Sequence, residues 1–179
     1  GIFIIVAWGL PELISKWRYK EKVLSISAGI IIPILLVTTW GQVSHWKNSI
    51  TIFKHTIRVA DKKYPNLAII HNNLGIALFA DGKNEEAISH YKMAIELKPD
   101  FAEAYSNLGN ALSAERKIEE AISHYKMAIK LNPDFAAAHN NLGIALSAER
   151  KIEEGIYHYK MAIKIKPDFA DAHNNLGIA

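Results

Sequence analysis

At 179 residues, half of them apolar, the chain is long enough for a helical array, and with no cysteine it has neither disulfides nor thiolate metal sites. The net charge of +3 is unevenly spread: residues 1–65 hold nine Lys/Arg against three Asp/Glu, and residues 66–179 twelve against fifteen. The mildly acidic second part argues against a nucleic-acid partner, while the basic residues of the first part cluster around apolar segments and point to a membrane.

Residues 1–14, GIFIIVAWGLPELI, read as the end of a transmembrane helix. With no initiator methionine, the chain is expected to be a piece of a larger polytopic protein. Residues 15–22 follow with four positive charges, Lys16, Arg18, Lys20 and Lys22, and the positive-inside rule makes this loop cytoplasmic. Residues 23–46, VLSISAGIIIPILLVTTWGQVSHW, contain no Asp, Glu, Lys or Arg. About 20 such residues suffice to cross a bilayer. Trp40 and Trp46 stand at the far end, where indoles favour the interface, and Pro33 is tolerated within a span. A buried core helix is the alternative, but the repeats that follow offer no surface to enclose it. A cleaved signal peptide would need a small-residue cleavage pattern after the second segment, and none follows. The bilayer is thus an expected partner. The rest of the chain is expected on the extracytoplasmic (periplasmic or lumenal) side, although Lys47, Lys54 and Arg58 weaken the charge asymmetry.

Residues 47–65 read as a linking amphipathic helix with Ile50, Phe53, Ile57 and Tyr64 on one face. One reading stacks it under the next helix. The other lays it on the bilayer surface.

From residue 66 the chain is repetitive. Residues 102–135 recur at 136–169 with eight of 34 positions changed, a looser copy fills 68–101, and a fourth begins at 170. A period of this length means stacked supersecondary units, each burying its apolar face only against its neighbours. In residues 102–135, Tyr105, Leu108, Ala111 and Leu112 recur at helical spacing. Ile118, Ala121, Ile122, Tyr125, Ala128 and Ile129 then do the same. Ala114-Glu115-Arg116-Lys117 breaks the pattern, as Asp81-Gly82-Lys83 does in the first copy, and Pro133-Asp134 closes the unit. Each unit is therefore a pair of antiparallel helices, A and B. Gly75, Gly109, Gly143 and Gly177 are expected to let helix A approach Ala87, Ala121 and Gly155 of helix B.

Numbered from its first alanine, the unit has Tyr105, Leu108, Gly109, Leu112, Ala121, Tyr125, Ala128 and Pro133 at positions 4, 7, 8, 11, 20, 24, 27 and 32. This pattern resembles the tetratricopeptide repeat, with histidine at position 4 of the other copies and glycine at 155 as departures. The fold class expected is all-α: a transmembrane helix followed by an α-solenoid of tetratricopeptide repeats. The linking segment then reads as a lone helix B, with Ser49, Phe53, Thr56, Ile57 and Val59 matching Ala87, Tyr91, Ala94, Ile95 and Leu97.

No nucleophile motif, phosphate loop or paired-carboxylate constellation appears, so no catalytic residue and no cofactor are expected. Histidines recur at 71, 139 and 173 and at 90, 124 and 158, but the 34-residue spacing reads as repetition on separate units rather than as a metal site. Lys92, Lys126 and Lys160 read as a solvated face, and Glu119-Glu120 and Glu153-Glu154 complement the dipole where helix B begins. The informative polar residues are Asn73, Asn107, Asn141 and Asn175 in register at position 6. Asn72, Asn140 and Asn174 stand beside them, and Asn110 lies further along its helix. Asparagine is a poor helix former, so the register asks for a reason. Amides along a concave groove can donate to and accept from an extended peptide's backbone. The alternative is a ladder that hydrates the inner helices or caps groups between repeats.

The AHNNLG and AYSNLGNAL wording is similar to the repeats of O-linked N-acetylglucosamine transferases, and that resemblance implies a peptide ligand held by these asparagines. The junction at Trp46, Ser49, Phe53 and Thr56 is similar to that of polytopic O-mannosyltransferase-type enzymes with C-terminal repeats and their bacterial relatives. It implies sugar transfer by acidic residues outside this chain. Two functions stand on these residues: a module presenting acceptor protein to a membrane O-glycosyltransferase, and a membrane-anchored scaffold with no enzyme attached.

Overall fold

The computed structural model describes residues 30–35, 49–60, 64 and 66–179, mostly helical, with no strand among them. The chain divides into two compact units, Gly1–Lys47 and Asn48–Ala179. In the first, residues 30–35 form helix with Ile30, Ile31, Ile32, Ile34 and Leu35 exposed. The expected span 23–46 otherwise lies outside the described residues, as do 1–14 and the basic loop 15–22. Among the described residues no helix is long and apolar enough to cross a membrane.

The second unit is built of eight helices among the described residues: α1 (Ser49–Val59), α2 (Leu67–Ala80), α3 (Asn84–Leu97), α4 (Ala102–Ala114), α5 (Ile118–Leu131), α6 (Ala136–Ala148), α7 (Ile152–Ile165) and α8 (Ala170–Ile178). Helices α2, α4, α6 and α8 are the A helices, and α3, α5 and α7 the B helices. Each A helix packs along the B helix that follows, and each B helix meets the next A helix. Helix α1 occupies the place of a B helix before α2. Its Ile50, Phe53 and Ile57 pack against the core, while Lys54 pairs with Glu86 of α3 at 3.0 Å. Tyr64, expected on the same apolar face, is exposed.

The core consists of the repeated leucines Leu74, Leu78, Leu108, Leu112, Leu142 and Leu146, all essentially removed from solvent, with Ala87, Tyr91, Ala121 and Tyr125 filling the space between. The close approach within each pair differs in its partner from the expectation. A Cβ placed on Gly75, Gly109 or Gly143 would come within 2.5, 2.5 and 2.6 Å of the ring of Tyr91, Tyr125 and Tyr159 respectively. The glycine makes room for a flat ring sixteen residues on, rather than for the small residue of helix B. In the third pair helix B also comes close through its own glycine, with the Gly155 carbonyl 3.0 Å from such a Cβ. Gly177 meets nothing within 4 Å.

The A helices end in one repeated cap. Lys83, Lys117 and Lys151 each donate a backbone N–H to the carbonyl of Leu78, Leu112 and Leu146 at 2.9 Å. Gly82, Arg116 and Arg150 donate to Phe79, Ser113 and Ser147 at 3.0 Å. This Schellman arrangement requires a left-handed residue, and φ is +76° at Gly82, +60° at Arg116 and +61° at Arg150. Glycine fills that conformation freely, whereas an L side chain there costs roughly 1 kcal/mol. Arg116→Gly is therefore expected to stabilise the repeats by about 0.5–1 kcal/mol, and Gly109→Ala to destabilise them by about 1–2 kcal/mol through collision with Tyr125. Urea denaturation followed by circular dichroism measures both, and shifts of the same sign would contradict the account.

Candidate ligand-binding groove

Successive A helices approach one another, whereas successive B helices stay further apart, so the A helices line the inside of the curve. Helical spacing puts positions 2, 6, 9 and 13 of each A helix on one stripe. In α2 the stripe is Ile69, Asn73, Ile76 and Ala80, and in α6 it is Ala137, Asn141, Ile144 and Ala148. All eight are exposed or half-buried. In α4 the stripe is Glu103, Asn107, Asn110 and Ala114.

The asparagines of this stripe are tied to one another across the repeats. Asn107 donates its side-chain N–H to Asn72 at 3.0 Å, Asn175 donates to Asn140 at 2.9 Å, and Asn141 donates to Asn110 at 2.9 Å. The third bond uses Asn110 because position 5 of that repeat is Ser106. Asn110 also accepts from the Tyr125 hydroxyl at 2.8 Å, joining α4, α5 and α6 through one oxygen. Burial pushes the Tyr125 phenol up, which keeps it a donor.

Asn72 and Asn140 are buried at 5% and 4% exposure, so their oxygens anchor the ladder instead of lining the groove. The side chains of Asn73 and Asn174 make no hydrogen bond among the described residues; Asn174 is exposed and Asn73 half-buried. At position 6, a bridging asparagine spends one of its two N–H groups on the neighbouring repeat. One N–H remains for another partner, and so does acceptor capacity on the carbonyl oxygen, although the Asn141 oxygen also takes a long 3.5 Å bond from the Asn140 amide. Oriented amides of this kind can pair with the C=O and N–H of an extended backbone.

The histidine rows, read from sequence as separate residues on separate units, are paired inside the repeats. His71 and His90 meet Nδ1 to Nδ1 at 2.9 Å, and His139 and His158 at 3.0 Å. The rings lie 5.1 and 5.2 Å apart with the same 34° tilt. In the middle repeat Tyr105 takes the A-helix place against His124. His139 also sets its Nε2 3.2 Å from the Pro133 carbonyl, which can only accept. That bond places the His139 proton on Nε2, so His158 donates through Nδ1. Among the described residues no group of three or more metal-ligating side chains forms.

Both pairs are held neutral. Burial lowers His71, with His90 adding to it, and lowers His90, with Lys54 assisting and Glu86 opposing. Burial lowers His139 against the pull of the Pro133 carbonyl and Asp134. His158 is lowered to about 4 by burial, then by His139 and Lys126, against Glu154. His124 is lowered by burial and Lys92, with Glu120 opposing.

Models described as the tetratricopeptide repeat match residues 102–135 and 124–157, and one described as TPR repeat matches 77–115 and 150–179. The chain is a tetratricopeptide repeat protein. Among solved structures it is similar to the first TPR of Spaghetti (RPAP3) bound to the HSP90 peptide SRMEEVD, at 27% identity and TM-score 0.61, over 62% of this chain and 88% of that one. It is similar to MamA at 29% identity and TM-score 0.64, over 72% and 73%. The second TPR domain of human RPAP3, in complex with the HSP70 peptide SGPTIEEVD, is 25% identical over 64% and 96%, with TM-score 0.61. Among curated proteins, none matches.

A histidine whose folded pKa is depressed contributes stability above its unfolded value of about 6.5, and loses it as pH falls through the folded value. The repeats are expected to weaken between pH 6.5 and about 4, the value of His158. After allowance for solvent screening of the partly buried rings, the loss is about 1–2 kcal/mol, or a melting temperature lower by roughly 5–10 °C. Thermal melts at pH 7 and 4.5 check this, and His158→Gln should flatten the difference.

Proposed function

We propose that the repeats form a peptide-binding module whose asparagine stripe holds the backbone of an extended protein segment. The observation that carries the reading is the row at position 6. In α4, α6 and α8 its N–H is bonded to the preceding repeat, which sets the amide plane and leaves a second N–H and oxygen lone-pair capacity, the Asn141 oxygen already taking one long bond from Asn140. Peptide ligands in the structures of both RPAP3 domains support the same use of the fold. A random heptapeptide display library panned on the full chain in neutral detergent tests it. The library should be enriched on the natural chain, and the enrichment should fall about tenfold with Asn107→Ala and Asn141→Ala combined. Helix content should be retained. Absence of enrichment on the natural chain removes the proposal.

We further propose that residues 23–46 anchor the module in a membrane with the repeats on the extracytoplasmic face, where it presents acceptor protein to an O-glycosyltransferase. The support is the charge-free run itself, the basic loop before it, and the junction at Trp46, Ser49, Phe53 and Thr56. Helix α1, which carries the last three of these, packs directly on α2. The chain has no cysteine, so Ser123→Cys, at an exposed site on α5, gives a clean topological reporter. In sealed membrane vesicles with the cytoplasmic face outward, a membrane-impermeant maleimide should label it only after detergent opens them. Labelling of the sealed vesicles reverses the orientation.

A further inference from the structure

The groove's charge identifies which peptides it takes. Helices α2, α4, α6 and α8 contain no lysine or arginine, and the charged side chains they carry are Glu103 and Asp171, both exposed. No cation on the same helices compensates these carboxylates. Ile76 and Ile144 stand exposed at 45% and 44% at position 9, one turn beyond the asparagine of each helix. A peptide bearing several carboxylates entering here would lose water from its charges and meet more carboxylate instead of a cation. The peptides in the similar structures, SRMEEVD and SGPTIEEVD, each carry three acidic side chains. Such a ligand needs basic partners, and this floor supplies none.

The geometry points to an extended segment of neutral or basic character, with aliphatic side chains set against Ile76 and Ile144 and its backbone on the asparagine stripe, as the ligand of this groove. The inference rests on the peptide-binding reading above and narrows it to a chemical class. A basic residue in the segment would stand near Glu103 or Asp171, and branched aliphatic residues would remove the two isoleucines from water.

The test reads the composition of peptides that the full chain, in neutral detergent, enriches from a random capped heptapeptide library. Depletion of Asp and Glu by at least threefold relative to the input, with enrichment of Val, Ile or Leu, is the expected result. Glu103→Lys, at an exposed position that leaves the ladder intact, should then raise the affinity for SRMEEVD at least tenfold over the natural chain, measured by fluorescence anisotropy. Enrichment of acidic peptides, or natural-chain binding of SRMEEVD as tight as that of the selected peptides, overturns the inference while leaving a peptide-binding groove in place. Selected peptides that bind the Ile76→Ser, Ile144→Ser chain as tightly as the natural one overturn it too. No enrichment of any peptide overturns the groove reading itself.

Discussion

A tyrosine ring lying on a bare glycine backbone sets the distance between the two helices of every complete repeat. Because Gly75, Gly109 and Gly143 have no Cβ, Tyr91, Tyr125 and Tyr159 can lie within the space a methyl group would occupy. The leucines at positions 7 and 11 are then close enough to be sealed from solvent. With the pair at this separation, each unit has one apolar face left on either side, and stacking is the way to bury it. Helix α1 serves as such a stacking partner at the first repeat, presenting Ile50, Phe53 and Ile57 where a B helix would stand.

Between repeats the specific bonds are polar. The amides of Asn107, Asn141 and Asn175 each reach back to an asparagine of the preceding unit. Amide-to-amide bonds satisfy groups that the curve of the A helices would otherwise crowd together without partners. They also fix the orientation of the groups left over, which reduces the ordering a bound peptide would require. One set of side chains thus both joins the repeats and prepares the floor of the groove. In the first and third repeats, the histidine pairs tie A to B through a single neutral hydrogen bond, which acid removes.

The ligand class proposed above rests on the same arrangement. A ladder of neutral amides recognises backbone, so selectivity must come from the residues around it. Here these are isoleucines and two carboxylates, in a fold whose RPAP3 relatives are seen with acidic peptides. The fold alone does not fix which peptide a repeat protein takes.

The helix pairs, their turns and the core leucines were legible in the sequence because a 34-residue period displays every structural requirement several times over. Tyr105, Leu108, Gly109 and Leu112 announce one face of helix A wherever they recur. The asparagine register was equally plain. Only the tertiary structure decided what each residue meets. Glycine at position 8 touches the tyrosine at 24, the histidines at 4 and 23 form a pair, and Asn107 bonds Asn72, 35 residues away, while Asn141 reaches Asn110 at 31. Periodicity shows which residues share a helix face, but the partner across a helix-helix interface depends on crossing geometry and rotation, which backbone packing sets and a linear repeat does not contain.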